Sequence, residues 1–149
     1  MNDTRAYSKQ IFILDASVMI KLIAQEDGID SPLEKSIQKL TKDITQKKIG
    51  IISTPLLCWE VGNWAGRAFP GQALEIISSL PVFGIQEHRL NLEVSSETFS
   101  IMRRCPRVTF YDASYHGLAM STGGIFITND VAYYREAHHL GRITLLQDY

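Results

Sequence analysis

Cysteine is scarce in this chain. Of 149 residues only Cys58 and Cys105 are cysteines, and neither sits in a paired metal-binding motif. A disulfide framework is therefore excluded, and so is a thiolate zinc site. Both are expected to be reduced packing residues. Long apolar runs are also missing, and no stretch approaches the roughly 20 residues that cross a bilayer. The opening MNDTRAYSKQ lacks the apolar core and small-residue cleavage site of a signal peptide, so a cytoplasmic location is expected. Charge of one sign is lacking as well. A net charge of −1 argues against non-specific wrapping of nucleic acid, while leaving room for a local basic patch. What remains is 45 % hydrophobic and 21 % charged with no low-complexity stretch, the make-up of a single globular domain, 1–149.

Short β-rich runs alternate with helical patterns, which points to an α/β fold around a parallel sheet. Ile11–Leu14 reads as a strand buried on both faces, followed by a helix over Ala16–Gln25 that stops near Gly28. Ser31-Pro32 begins a second helix whose apolar face is Leu33, Ile37, Leu40 and Ile44. The lysines from Lys35 to Lys48 lie opposite that stripe as a solvated face. Ile49–Ser53 is the next strand, and Thr54-Pro55 supplies a cap and first-turn proline for the following helix. Gln72–Leu80 forms a helix and Val82–Gln86 an edge strand. Val94–Arg104 is helical, Asp112 opens a helix over Ala113–Ser121, and Gly123-Gly124 leads into strand Ile125–Thr128. A last helix, Val131–His139, precedes strand Ile143–Leu146.

Four acids stand out in this frame: Asp15, Glu60, Asp112 and Asp130. Asp15 and Asp130 each follow an apolar strand, at the strand end where ligands bind in open parallel sheets. If those two strands are neighbours, the two carboxylates face one crevice. Glu60, Asn63, Trp64 and Arg67 follow i, i+3, i+4, i+7 beside an apolar face of Leu56, Leu57 and Val61. Asp112 has a competing reading as a simple helix cap. Two like charges about 4 Å apart repel by roughly 4 kcal/mol at an effective dielectric near 20. Gathered carboxylates therefore call for a cation, and oxygen-only donors favour a hard ion such as Mg²⁺ or Mn²⁺ that serves phosphate chemistry. Arg103, Arg104 and Arg107, just before Asp112, are the candidate basic patch for a nucleic-acid backbone.

The stretches LDASVMIK at 14–21, PLLCWEVGNW at 55–64, YDASYHGLAM at 111–120, TND at 128–130 and ITLLQDY at 143–149 together resemble the PIN-domain family. They are most similar to the VapC-type toxin ribonucleases of toxin–antitoxin pairs. The resemblance covers nearly the whole chain. It implies a three-layer α/β sandwich around about five parallel strands in the order 3-2-1-4-5. It further implies a Mg²⁺- or Mn²⁺-dependent endoribonuclease, a hydrolase of RNA phosphodiesters, with Asp15, Glu60, Asp112 and Asp130 as catalytic metal ligands. Ser17, Asn63 and Thr128 match polar positions beside the metal. A homodimer through the early helices and an antitoxin protein covering the site are implied as partners, with no membrane. His116 falls where family members usually carry an apolar or small residue, and is expected to pack at the helix surface.

Two enzyme classes of similar architecture are excluded by residues that are missing. A phosphoaspartyl phosphatase needs a second aspartate two residues after the first, where this chain has Ser17. A phosphoacceptor receiver domain needs a lysine after a late strand, and none occurs after Lys48. Two competing readings keep the same domain: a housekeeping RNA-processing endonuclease, and a non-catalytic RNA- or protein-binding PIN domain.

Overall fold

A computed structural model describes residues 9–25 and 30–149. Its centre is a five-stranded parallel sheet of β1 (Ile11–Leu14), β2 (Gly50–Ser53), β3 (Gln86–Glu87), β4 (Ile125–Thr128) and β5 (Ile143–Leu145), in the order β3-β2-β1-β4-β5. Seven helices surround it among the described residues: α1 (Ala16–Ile23), α2 (Pro32–Thr45), α3 (Leu56–Ala68), α4 (Ala73–Ser79), α5 (Leu92–Arg104), α6 (Phe110–Thr122) and α7 (Val131–Ala137). β1 pairs with β4 in the register Phe12↔Ile125 to Leu14↔Ile127, so Asp15 and the end of β4 leave the sheet side by side. That adjacency is the condition on which the crevice depended.

Strand periodicity sorts the core into two layers. Leu14, Ile51 and Ile127 pack with Val18, Met19 and Leu22 of α1, Ile37 and Leu40 of α2, and Leu57 and Val61 of α3. Ile13 and Phe126 face the other way, onto Val94 of α5, Tyr115 and Leu118 of α6, and Tyr133 and Ala137 of α7. The result is the three-layer sandwich expected from the sequence. α6 is pressed between the sheet and α5, and residues Ala113 to Ala119 are all buried. The approach to α5 requires glycine at 117, because a Cβ there would collide with the Thr98 hydroxyl and lie 3.1 Å from the Val94 carbonyl oxygen.

Several boundaries differ from the sequence reading. The expected strand Val82–Gln86 is instead a 3₁₀ turn over Leu80–Phe83, closed by Gly84 at φ 63°, followed by the two-residue β3 on the sheet edge. Pro81 occupies the first turn of that 3₁₀ segment, where its missing N–H costs nothing. Thr54 does not cap α3: Pro55 holds the cap position, and the Thr54 carbonyl rather than its hydroxyl accepts the Leu57 amide at 3.1 Å. α1 ends at Ile23, and the stop proposed near Gly28 lies outside the described residues. Cys105 is buried as expected, whereas Cys58 is exposed, because it falls on the outer face of α3 beside the exposed Trp59.

Candidate active site

The end of β1 is built around one buried carboxylate. Asp15 caps α1, its Oδ1 accepting from the Val18 amide at 3.0 Å and from the Ser17 hydroxyl at 2.5 Å. Its Oδ2 accepts from the Thr128 hydroxyl at 2.5 Å, across from β1 to β4. The two hydroxyls are themselves held by the turn after β4. Ser17 Oγ accepts from the Asn129 amide at 2.8 Å, and Thr128 Oγ1 from the Asp130 amide at 3.0 Å. Asp130 then caps α7 by accepting from the Tyr133 amide at 2.9 Å. One hydrogen-bonded seam therefore fixes both strand-end aspartates.

Asp112 enters from α6, whose cap is Thr109 rather than Asp112. The Thr109 hydroxyl accepts from the Asp112 amide at 3.1 Å and donates to Asp112 Oδ2 at 2.8 Å. The pair is a reciprocal capping arrangement, and it starts the helix three residues earlier than the aspartate alone suggests. Glu60 projects half-buried from the second turn of α3.

Asp15, Ser17, Glu60 and Asp112 line a single small cleft of about 90 Å³ together with Tyr115, Phe126, Asp130 and Tyr133. Four acids from four separate elements thus converge on it. Thr128 reaches it through its bond to Asp15. Asn63 is exposed on α3 and is not part of the lining, nor are Arg103, Arg104 and Arg107. Arg107 is committed elsewhere, bonded to Glu136 of α7 at 2.8 Å. A far larger cavity of about 1150 Å³ lies at the opposite, N-terminal end of the strands, lined by Ile11, Gly50, Phe83 and Lys47 among others. It gathers no carboxylate, so its size carries no chemistry.

The field in the cleft is unrelieved. None of the four acids has a salt-bridge partner among the described residues. Burial pushes the Asp15 carboxyl above its ordinary range, with the Asp130 charge adding, while the donors from Ser17, Thr128 and Val18 work against it. Glu60 is raised first by desolvation and then by the charges of Asp15 and Asp112. The Tyr115 hydroxyl lies near enough to favour the ionised Glu60, but it meets no hydrogen-bond geometry with any partner. Among the described residues no three His, Cys, Asp or Glu side chains are arranged to grip one metal ion directly.

His116 is fully buried rather than at the helix surface. Its Nε2 lies 2.7 Å from the Gly141 carbonyl oxygen, which only accepts, so Nε2 carries the proton. Nδ1 then accepts from the Tyr133 hydroxyl at 3.1 Å. Burial lowers the imidazole below its ordinary value, in keeping with a neutral ring. His116 therefore fixes Tyr133, a wall of the cleft, and does not enter the cleft itself. The sequence reading missed Tyr115 and Tyr133. Each stands three residues after an acid, Asp112 and Asp130, on the same helical face, and that spacing was the available signal.

With this geometry in view, solved structures supply the parallel. The chain matches VapBC2 from Rickettsia felis, solved bound to a DNA fragment from their promoter, with a TM-score of 0.67 at 10 % identity, over 91 % of this chain and 97 % of that one. The chain has the PIN-domain fold. DNA-bound VapBC from Salmonella typhimurium shares that fold at a TM-score of 0.65 and 15 % identity, over 92 % of this chain and 98 % of that one. So does VapC20 of Mycobacterium tuberculosis, described as a sarcin–ricin-loop-cleaving toxin, at 0.58 and 12 % identity over 79 % and 87 %. No family model and no curated protein matches the sequence. The PIN fold is shared while almost all of the sequence is not, which leaves the cleft as the ground for function.

Proposed function

We propose that this chain is a metal-dependent endoribonuclease of the VapC toxin kind, hydrolysing RNA phosphodiesters at the cleft of Asp15, Glu60, Asp112 and Asp130. The observation that carries the reading is the convergence of four unpaired carboxylates on one small cleft at the C-terminal ends of β1 and β4. The structural neighbours, toxin–antitoxin complexes and an RNA-cleaving toxin, support the same direction.

The donor set suits a hard divalent ion such as Mg²⁺ or Mn²⁺, since every candidate ligand atom is oxygen. Asp15, Glu60, Asp112 and Asp130 would hold it through their carboxylate oxygens. When bound, such an ion supplies a more acidic water and neutralises charge on the phosphate. Asp15 is held rigidly by three donors and presents what remains of its lone pairs inward. Asp112 is oriented by Thr109, and Asp130 by the first turn of α7. Ser17 and Thr128 act by fixing Asp15. Asn63 and the three arginines belong to the approach of RNA rather than to the cleft.

The test is cleavage of single-stranded and structured RNA with Mg²⁺ or Mn²⁺. Asp15→Asn and Asp112→Asn should each abolish turnover while the protein stays folded, and EDTA should do the same reversibly. Alanine at Arg103, Arg104 and Arg107 together should weaken RNA binding broadly and flatten its salt dependence. Full activity in EDTA or in Asp15→Asn would end the proposal. The dispersion of the acids favours one other reading, a PIN fold that binds RNA or protein without cleaving, and metal-independent binding without turnover would establish it. An antitoxin and a second copy of the chain are the proposed partners, with the exposed Trp59, Phe69 and Leu74 of the α3–α4 region as contact surface. No helix among the described residues is long and apolar enough to cross a membrane.

A further inference from the structure

Two buried hydroxyls have no hydrogen-bond partner among the described residues. Tyr115 is 2 % exposed and Thr54 is 7 % exposed, and neither Tyr115 Oη nor Thr54 Oγ1 makes a hydrogen bond. Tyr115 lines the cleft, and Thr54, at the end of β2, lies close enough to the phenol to favour its ionised form. Glu60 is the nearest acid to the phenol in electrostatic effect. Native proteins rarely leave such groups unsatisfied, and two neighbours doing so together mark a place where something polar belongs. A cleft of about 90 Å³ has room for about three waters at liquid density, and a buried water needs two to four polar partners.

We propose that Tyr115 is a positioning residue: its hydroxyl and that of Thr54 hold one ordered water against the Glu60 carboxylate. Glu60 is then held in one orientation, by that water rather than by a direct bond to either hydroxyl.

The inference rests on the nuclease reading for its consequences but not for its first test. A high-resolution crystal structure of the metal-free full chain should show a water within hydrogen-bond distance of Tyr115 Oη, Thr54 Oγ1 and Glu60. Tyr115→Phe should lose it without other change. An empty position in the wild type, or the same water undisturbed in Tyr115→Phe, overturns the proposal whether or not the protein cleaves RNA. In the cleavage assay, Tyr115→Phe and Thr54→Val should each lower kcat by roughly 10- to 100-fold with KM little changed. Their combination should cost no more than the worse single variant. The thermal midpoint of Tyr115→Phe should stay close to that of the wild type, because the ring is kept and only a water-mediated bond is lost. A lowered midpoint with unchanged kcat would make the tyrosine a packing residue and overturn the positioning role. A wild type that never cleaves would sink the nuclease reading, while the crystallographic water alone would still decide this one.

Discussion

Thr128→Val is the sharpest probe of the seam that holds Asp15. Valine matches threonine in shape and Thr128 is fully buried at the end of β4, so packing is kept and only the hydroxyl is removed. That hydroxyl donates to Asp15 Oδ2 at 2.5 Å and accepts from the Asp130 amide at 3.0 Å. A bond to a charged group contributes about 1.5–3 kcal/mol, and the amide bond about 0.5–1.5 kcal/mol. A loss of about 2–4 kcal/mol at neutral pH follows, or a thermal midpoint lower by roughly 5–15 °C for a domain of this size.

The loss should also depend on pH, in a direction that can be worked out. Asp15 is raised in the folded state, so its ionisation costs stability. That stability is present below the unfolded carboxylate value and is lost as pH rises through the folded one. Removing a donor to the ionised form raises the folded value further. The variant therefore regains more stability than the wild type as Asp15 takes up its proton, and the gap between them narrows on acidification. Urea unfolding of both proteins in EDTA, at neutral pH and at about pH 5, measures this. A deficit below about 0.5 kcal/mol at neutral pH, or one that grows in acid, would refute the view that Thr128 serves the charged Asp15.

Two further outcomes are expected. His116 should titrate below the ordinary imidazole value and show the Nε2–H tautomer by nitrogen NMR, so that its contribution to stability is lost as pH falls below about 6.5; a ring that titrates freely near that pH would break the proposed chain from Gly141 to Tyr133. Light scattering at high micromolar concentration should report a dimer that Trp59→Ser or Leu74→Ser weakens, whereas a monomer at that concentration would remove the proposed self-association.

The parts legible in the sequence were those where one physical demand acted alone. β1 is an apolar run ended by Asp15 and β4 an apolar run Ile125–Ile127 leading through Thr128 and Asn129 to Asp130, and a strand buried on both faces has little other choice of composition. α2 carries Ser31-Pro32 at its start and a clean apolar stripe, and it formed where that pattern placed it. Segment 80–83 was misread because its apolar residues suit a strand and a 3₁₀ turn equally, and only the tolerance of Pro81 for a first turn separates them. β3 has two residues, too few for any alternation to register. His116 was placed at the surface because the middle of α6, Ala113 to Ala119, is buried on every side, a condition that erases the periodicity by which a buried face is recognised.

The same limit applies inside the cleft. An acid at the end of a strand announces itself because a charge there is costly unless it has a use, and Asp15 and Asp130 could be found on that ground alone. The hydroxyls that orient them carry no such signal. Thr54 reads as an ordinary cap, Thr109 falls between two expected helices and Tyr115 within one, and each has a bland role open to it in one dimension. Only in three dimensions does Thr109 prove to be bonded to Asp112 while the Thr54 and Tyr115 hydroxyls find no partner among the described residues. The unsatisfied pair is the more informative. A satisfied hydroxyl is explained by the partner it has, whereas a buried Tyr115 hydroxyl with no partner among the described residues, in the wall of a cleft of four acids, points to what the cleft receives.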